Sequence, residues 1–240
     1  MSKELKFDFN YEVLPDNTNN YDLTFKLIII GDCGVGKSCL TQQASKNLFD
    51  DSYCSTVGFE FLVFNIRIDD KIIKLQLWDT CGQELYRSLV ASFYRSASLA
   101  IMVYSVTNKK SFQNIDLWYK DLKNNASPDI NVFLIGNKID LTDQREVTTK
   151  EGETFKDEFR LDKFVECSAK TGFNAKNIFI EAAKLLYDKY MKYQKEKEIQ
   201  DIYGAKSKCQ TKSYDDPINA YDCDTGTISR KKFAKRKKCC

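Results

Sequence analysis

Short apolar runs alternate with longer amphipathic stretches from residue 25 onward, and this alternation predicts the fold. The run FKLIII at residues 25–30 is apolar apart from Lys26, which is typical of a strand that is buried on both faces. Five further runs have strand character: residues 59–68, 72–79, 99–106, 131–137 and 163–167. Helical spacing fills intervals between them: residues 37–47, 84–94, 109–124, 149–160 and 174–195.

Alternating strands and helices indicate an α/β fold with a six-stranded, mostly parallel sheet that is covered by helices on both faces. The turn DDK joins the second and third strands as a hairpin, so this pair is expected to be antiparallel. The ends of the chain are polar and lack a clear apolar stripe. We therefore expect a flexible N-terminal extension over residues 1–23, a globular domain over residues 24–192 and a flexible tail over residues 193–240.

Charge and composition exclude several classes of protein. The chain has 240 residues and a net charge of +3, but seven of the nine residues 230–238 are basic, so the rest is net acidic. This distribution argues against a general nucleic-acid binder. The absence of histidine excludes Ser-His-Asp and Cys-His catalysis, and nine scattered cysteines do not resemble a disulfide scaffold. No signal peptide or membrane span is apparent, so we expect a cytosolic protein unless something attaches it to a membrane.

The segment GDCGVGKS fits the pattern G-x-x-x-x-G-K-[ST] and lies between a predicted strand and a predicted helix. Glycines allow the backbone N–H groups to wrap around a phosphate, Lys37 can reach the β- and γ-phosphates, and Ser38 offers a hydroxyl to Mg²⁺. The segment therefore predicts a nucleotide-binding phosphate loop (P-loop). Its expected phosphate contacts are Gly31, Asp32, Cys33, Gly34, Val35, Gly36, Lys37, Ser38 and Cys39.

Two further segments indicate the base. NKID and SAK follow consecutive predicted strands, at the edge where ligands bind in open α/β sheets. The carboxylate of Asp140 can accept from the ring N–H and the exocyclic amine of guanine, whereas adenine presents the reverse pattern. The Asn137 amide can complement the guanine oxygen and N7. The predicted guanine-binding residues from these segments are Asn137, Lys138, Asp140, Ser168, Ala169 and Lys170.

The segment WDTCGQE ends the third predicted strand and supplies groups for the γ-phosphate. Asp79 can hold Mg²⁺ through water, the Gly82 N–H can approach the γ-phosphate, and Gln83 can orient the attacking water. Thr56, in STVGFEF, is the candidate for a second Mg²⁺ hydroxyl. Each of these residues would be unremarkable alone. Together they predict GTP hydrolysis with Gln83 and Lys37 as the catalytic residues.

The motifs GDCGVGKS, STVGFEF, KLQLWDTCGQE, GNKIDL and ECSAK occur in this order within residues 25–190, and over that span the sequence resembles the Rab small GTPases of the Ras superfamily. The resemblance implies a P-loop GTPase domain that cycles between GDP and GTP forms with Mg²⁺ and regulates vesicle traffic by recruiting effectors. It implies an exchange factor, an activating protein, and prenylation escort and dissociation-inhibitor proteins as partners of a monomeric domain.

The same resemblance implies roles for residues outside the phosphate and base motifs. Phe49 is expected to pack beside the guanine, and the loops around residues 50–60 and 80–95 are expected to be switches that order with GTP. An effector-binding surface is implied at Val57, Gly58, Phe59, Phe61, Trp78 and Phe93.

Two cysteines depart from the family pattern. Cys33 stands where the fastest relatives have glycine, and Cys81 replaces a common alanine. These departures predict slow intrinsic hydrolysis and leave open a second interpretation, a nucleotide-locked binding module that serves as a scaffold. The intact Gln83 favours the enzyme. A third interpretation, an ATP-using kinase with the same P-loop, is disfavoured by NKID and SAK.

The segment RKKFAKRKKCC could serve as a nuclear address or a solvated charge run, but neither use needs its cysteines. The resemblance implies geranylgeranyl groups on Cys239 and Cys240. Two lipid chains next to a basic run give stable attachment to an anionic surface. We therefore expect the protein on the cytoplasmic face of an intracellular membrane (endosome, Golgi or vesicle), with a soluble cytosolic pool.

Overall fold

The computed structural model describes residues 9–50, 58–82 and 93–204, with backbone alone for residues 201–204. The strands are β1 (Tyr11–Leu14), β2 (Leu23–Ile30), β3 (Phe59–Ile68), β4 (Lys71–Thr80), β5 (Leu99–Ser105), β6 (Asn131–Asn137) and β7 (Lys163–Glu166). The helices are α1 (Lys37–Lys46), α2 (Lys109–Gln113), α3 (Ile115–Asn125), α4 (Thr149–Glu158) and α5 (Ala175–Gly204), with a 3₁₀ turn at Thr142–Gln144.

The strands form one sheet in the order β1-β3-β4-β2-β5-β6-β7. The pairs from β4 through β2, β5 and β6 to β7 are parallel, whereas β3 is antiparallel to β4 and to β1. Alternate residues of β2 face two separate cores: Leu27 and Ile29 pack with α1 and α5, while Ile28 and Ile30 pack with α3. The mostly parallel α/β sheet with helices on both faces is therefore confirmed.

The N-terminal segment differs from the sequence-based expectation. We expected residues 1–23 to be a flexible extension, but Tyr11–Leu14 form β1, which pairs with β3 from Tyr11↔Ile68 to Leu14↔Asn65. The sheet therefore has seven strands, and the predicted number of six strands is wrong. The pattern did not reveal β1 because an edge strand of four residues, mostly exposed, has no continuous apolar run.

The predicted helices mostly agree with the structure to within a few residues. The stretch 109–124 is two helices that meet at Asn114, which ends α2 and begins α3. Helix α5 continues to Gly204, so the tail that was expected to be flexible from residue 193 begins as helix. No proline or glycine interrupts α5 before Gly204, which allows this continuation. Most of the predicted helix 84–94 lies outside the described residues.

Candidate active site

The P-loop connects β2 to α1, and its backbone requires glycine at two positions. Gly31 has φ +140°, and a Cβ there would lie 2.1 Å from the carbonyl oxygen of Val103. Gly36 has φ +95°, and a Cβ there would lie 2.5 Å from Nδ2 of Asn137. The loop can therefore take this shape only with bare backbone against β5 and the NKID segment.

Lys37 is buried at the start of α1, and its amine is held by the loop itself. Nζ donates to the carbonyl oxygens of Gly31, at 2.9 Å, and of Asp32, at 2.8 Å. Burial lowers the pKa of the Lys37 amine, and the nearby Asp79 carboxylate opposes that shift. The amine is thus fixed inside the loop, where an anionic ligand would compensate its desolvation.

Ser38 and Asp79 join the helix to the sheet. The Ser38 hydroxyl donates to Oδ2 of Asp79, and burial raises the pKa of Asp79 to about 6, although Ser38 and Lys37 pull it down. Oδ1 of Asp79 is buried without a hydrogen-bond partner among the described residues. Oxygens of this kind are the ligands that Mg²⁺ prefers, so the Ser38 hydroxyl and, through a water, the Asp79 carboxylate fit a magnesium ion.

Gly82, in the loop expected to be the second switch, packs directly against the P-loop. A Cβ on Gly82 would lie 2.3 Å from the backbone nitrogen of Cys33, so only glycine allows this approach. Cys33 is exposed at this contact, whereas Cys81 is buried. The remaining predicted loop residues differ in environment: Gly34 is exposed, Val35 is in the core, and Cys39 packs against the core from α1.

Some predicted site residues lie outside the described part of the chain. They are Thr56, Val57, Gln83, Cys239 and Cys240.

Hydrogen bonds from the NKID segment connect the P-loop to the SAK segment. Asn137 donates from Nδ2 to the carbonyl oxygen of Val35, at 2.9 Å, and its Oδ1 accepts from the backbone N–H of Ala169, at 3.0 Å. Lys138 donates from Nζ to the carbonyl oxygen of Gly34, at 2.7 Å. We expected the Asn137 amide to face guanine, but in this structure both of its polar atoms have protein partners.

The other predicted guanine-binding residues lie close to these hydrogen bonds. The Ser168 hydroxyl donates to Oδ1 of Asp140, at 2.6 Å, and accepts from the backbone N–H of Thr171, at 3.0 Å. These bonds orient the Asp140 carboxylate at the carboxyl end of β6. The Lys170 amine lies 5.9 Å from the centre of the Phe49 ring, which is partly buried. All predicted base residues therefore lie at one edge of the sheet.

The aromatic residues of the predicted effector surface form one cluster across β3 and β4. Ring centres are separated by 4.8 Å for Phe59 and Phe93, 5.5 Å for Trp78 and Phe93, and 5.3 Å for Phe61 and Trp78. Phe59 and Phe61 are about half exposed. Lys26, which sequence reasoning missed, lies with its amine 4.9 Å above the Trp78 ring.

Sequence reasoning also missed two partners of the P-loop. The Asp32 carboxylate accepts hydrogen bonds from the side chains of Asn114 and Trp118. More than 80 residues separate these groups in the chain, and neither belongs to a nucleotide-binding motif, so no local signal points to them.

A glycine-dependent phosphate loop, a buried lysine, a serine–aspartate pair and two base loops at the carboxyl edge of the sheet define a GTP-binding α/β domain. A profile of the Ras family matches residues 26–188. The chain therefore belongs to the Ras family, as a Rab-type small GTPase.

Curated relatives agree with this membership. The chain is 43% identical over 164 residues to the Ras-related protein Rab-8A of Gallus gallus, an alignment that covers 68% of this chain and 79% of the relative. It is 43% identical over 168 residues to the GTP-binding protein ypt2 of Schizosaccharomyces pombe, covering 70% and 84%. It is 43% identical over 167 residues to the Ras-related protein RABE1d of Arabidopsis thaliana, covering 69% and 77%.

Membership fixes the general activity. The protein binds GTP and GDP, hydrolyses GTP to GDP, and acts as a switch in vesicle traffic that recruits effectors. Regulators and effectors are its kinds of partner, and it works in association with intracellular membranes. In the described part of the chain, no helix combines the length and the apolar character that crossing a bilayer requires.

Proposed function

We propose that this site cleaves the γ-phosphoryl group of GTP by in-line attack of water, with named residues in defined roles. The observation that carries the proposal is the buried Lys37 amine, held by the Gly31 and Asp32 carbonyls inside the P-loop. There the amine and the loop N–H groups of residues 31–39 would stabilise negative charge on the β- and γ-phosphates as the bond breaks.

A metal ion belongs to this proposal. Ser38, Thr56 and, through water, Asp79 would hold Mg²⁺, which when bound neutralises charge on the β- and γ-phosphate oxygens. Support comes from the Ser38–Asp79 hydrogen bond and from the buried Oδ1 of Asp79, which lacks a partner within the described residues.

The water and the switches form the next part of the proposal. Gln83 orients the attacking water, and the N–H of Gly82 contacts the γ-phosphate together with Thr56. Support for Gly82 is its tight contact with the P-loop at Cys33. An activating protein would add an arginine, which in such systems accelerates hydrolysis by about 10³- to 10⁵-fold.

Recognition of the base is assigned to the edge formed by β6 and β7. Asp140 would accept from the ring N–H and exocyclic amine of guanine, while Ala169 and Lys170 line the pocket and Phe49 packs beside the ring. The hydrogen bond from Ser168 to Asp140, at 2.6 Å, supports this role because it fixes the carboxylate. Asn137 and Lys138 serve the pocket mainly by tying it to the P-loop.

Single-turnover hydrolysis of bound GTP, with and without a matched activating protein, tests the enzymatic roles. We expect slow release of phosphate alone, strong stimulation by the activating protein, and loss of that stimulation in Gln83→Leu. As a matched control, Gln144→Leu replaces a glutamine of the 3₁₀ turn and should behave as wild type. Stimulated hydrolysis that persists in Gln83→Leu would show that another residue positions the water.

The same assay decides the alternative of a nucleotide-locked scaffold. The observation that favours this alternative is the position of Cys33, whose backbone lies against Gly82, so a side chain there adds bulk where the switch approaches. Absence of hydrolysis under both conditions would establish the scaffold. If Cys33→Gly alone hydrolyses GTP, the cysteine is the cause.

Membrane attachment is proposed to rest on Cys239 and Cys240, which would carry geranylgeranyl groups beside the basic residues 230–238. Support comes from physical chemistry: two anchoring signals are needed for stable binding, and basic residues add attraction to anionic lipid. An escort protein would deliver the chain for prenylation. A dissociation inhibitor would keep a soluble cytosolic pool, and an exchange factor would reload GTP at an endosome, Golgi or vesicle membrane.

Replacing both cysteines by serine tests the anchor. We expect the tagged, full-length double variant to move entirely into the soluble fraction, with GTP binding unchanged. Cys209→Ser together with Cys223→Ser is the matched control, since it removes two other cysteines of the C-terminal region. Membrane association of the Cys239/Cys240 variant at the wild-type level would refute the anchor and leave the hydrolysis proposal standing.

A further inference from the structure

The carboxylate of Asp32, a residue of the P-loop, is held by two side chains of the Asn114–Trp118 stretch. Its Oδ1 accepts from Nε1 of Trp118, at 2.8 Å, and its Oδ2 accepts from Nδ2 of Asn114, at 2.6 Å. Asn114 is the residue at which α2 ends and α3 begins, and Trp118 lies one turn further along α3. Both carboxylate oxygens of a P-loop residue are therefore fixed by the same short stretch of chain.

The backbone of Asp32 contacts two parts of the nucleotide site. Its carbonyl oxygen accepts from Nζ of Lys37, at 2.8 Å. A Cβ on Gly82 would lie 2.6 Å from that same oxygen, so the start of the second switch rests on this peptide. Any rotation of the Asp32 peptide would displace the lysine and the switch together.

Electrostatics explains why the side chain needs firm partners. A carboxylate in a loop that binds phosphates repels the ligand unless it is directed elsewhere and its charge is balanced by donors. Trp118 is completely buried, and a buried indole N–H requires an acceptor. The two hydrogen bonds therefore satisfy a helix donor and remove a repulsive group from the phosphate site.

We infer that Asp32 is a positioning residue through which α3 holds the P-loop in its phosphate-binding shape and thereby sets the rate at which nucleotide leaves. It acts through the Lys37 amine and the Gly82 contact. The inference rests on the proposed phosphate-binding role of the P-loop. It adds that Asn114 and Trp118, which lie outside every nucleotide-binding motif, control how long nucleotide stays bound.

The test measures release of fluorescently labelled GDP from the full-length protein in the presence of excess unlabelled GDP. Asn114→Asp places a second carboxylate against Asp32, and Trp118→Phe keeps a ring but removes the donor. We expect each variant to release GDP about tenfold faster than wild type, the factor that corresponds to losing one hydrogen bond to a charged group.

The decisive experiment exchanges the hydrogen-bond donor and acceptor between positions 32 and 114. In the double variant Asp32→Asn with Asn114→Asp, the amide at position 32 donates to the carboxylate at position 114, so we expect release to return to within about threefold of wild type. Lys120→Ala is the control on α3, since it breaks only the exposed Asp116–Lys120 pair, and it should release GDP at the wild-type rate.

Two results would overturn the inference: wild-type release from both folded single variants, or release from the double variant that is no slower than from Asn114→Asp. Thermal unfolding shows whether each variant folds. If Asn114→Asp does not fold, the GDP release rates of Trp118→Phe and of the double variant decide the question. Because GDP release does not require hydrolysis, the assay remains informative even if the proposed roles in hydrolysis fail.

Discussion

Two glycines of the P-loop, Gly31 and Gly34, share a left-handed backbone but differ in their surroundings. A Cβ at Gly31 would meet the Val103 carbonyl at 2.1 Å, whereas a Cβ at Gly34, where φ is +76°, would meet nothing within 4 Å. Gly34→Ala should therefore lower the free energy of unfolding by only the left-handed strain, about 1–2 kcal/mol.

Gly31→Ala adds a backbone clash to that strain, so we expect a loss of about 4 kcal/mol or more, which is exceptional for one substitution. Chemical denaturation of the two variants measures the difference. Equal losses would show that β5 can move away from the loop and that the close approach is not required.

At the residue scale, the sequence predicted those functional side chains that belong to short contiguous motifs. Lys37 and Ser38 follow from one motif of eight residues, and Asp140 follows from another, because chain neighbours fix their positions. The contacts of Asp32 could not be predicted in this way, since they depend on how α3 packs against the sheet. The use of both Asn137 amide atoms inside the protein likewise required the fold.

Strand β1 is the element that the hydrophobic pattern did not predict, and several contacts fasten it. Phe9 packs edge-on against Tyr187 of α5 with ring centres 5.3 Å apart, and the Lys184 amine lies 4.3 Å above the Tyr11 ring. Asn65 of β3 donates to the carbonyl oxygen of Pro15, at 2.9 Å. The N-terminal segment therefore links the β3 edge to the last helix.

Deleting residues 1–16 should destabilise the domain. Four cross-strand pairs are lost, which corresponds to about 1–3 kcal/mol, and β3 becomes an open edge that can pair with another chain. We expect a lower denaturation midpoint and increased light scattering. Glu12→Ala is the control, because it breaks only the exposed ion pair with Arg67 and should change stability by less than about 1 kcal/mol. Unchanged stability of the truncated protein would mean that β1 is dispensable.

Helix α4 begins with a capping box that makes stability depend on pH. Thr148 accepts from the Glu151 backbone, and the Glu151 carboxylate accepts from the Thr148 backbone and from Lys109. The Lys109 and Thr148 hydrogen bonds lower the pKa of Glu151 to about 2. A carboxyl group whose pKa is lower in the folded state stabilises the fold at pH values above its pKa in the unfolded chain, near 4.5. This contribution is lost as the pH falls towards 2.

Glu151→Gln should therefore be less stable than wild type at pH 7 by under about 1 kcal/mol, since the ion pair is partly exposed. The difference should shrink between pH 4.5 and pH 2. Urea denaturation of both proteins across this range measures it. A stability difference that stays constant with pH would show that the variant is destabilised by its altered helix cap and that the charge of Glu151 does not contribute.

At the element scale, the buried strands were predictable because both faces are mostly apolar, so apolar runs such as 27–30 and 132–135 stand out. The break between α2 and α3 was not predictable from spacing, because the apolar pattern continues through it. Asn108 caps α2 through Ser111, at 3.0 Å, and Asn114 then restarts the chain as α3. The Asn114 side chain makes no cap hydrogen bond to α3 and bonds Asp32 instead, so capping gives no local signal of the break.

For the whole molecule, Asn137 is the side chain that makes the phosphate and base loops one unit. It is almost fully buried, so Asn137→Ala would leave the Val35 carbonyl and the Ala169 N–H without their partner. We expect a loss of about 2–3 kcal/mol in the free energy of unfolding and at least a tenfold faster release of labelled GDP.

Asn125→Ala is the comparison for this variant, since its hydrogen bond to the Asp121 carbonyl is exposed on α3. It should change neither quantity appreciably. Wild-type release of GDP from Asn137→Ala would show that the two loops hold nucleotide independently.

The unbroken course of α5 has a mechanical consequence. The helix starts a few residues after the SAK segment, contacts Phe9 and Tyr11 of the N-terminal segment, and continues to Gly204, with residues 195–200 exposed. Residues 196–204 as helix impose a fixed reach of about 13 Å, whereas the same nine residues as coil would give a broad distribution of distances. The helix is therefore a stiff rod that begins a few residues after the SAK segment. A force applied at the end of this helix would be transmitted along it to the loop that carries the SAK segment, and the direction of the helix would set the tilt of the domain.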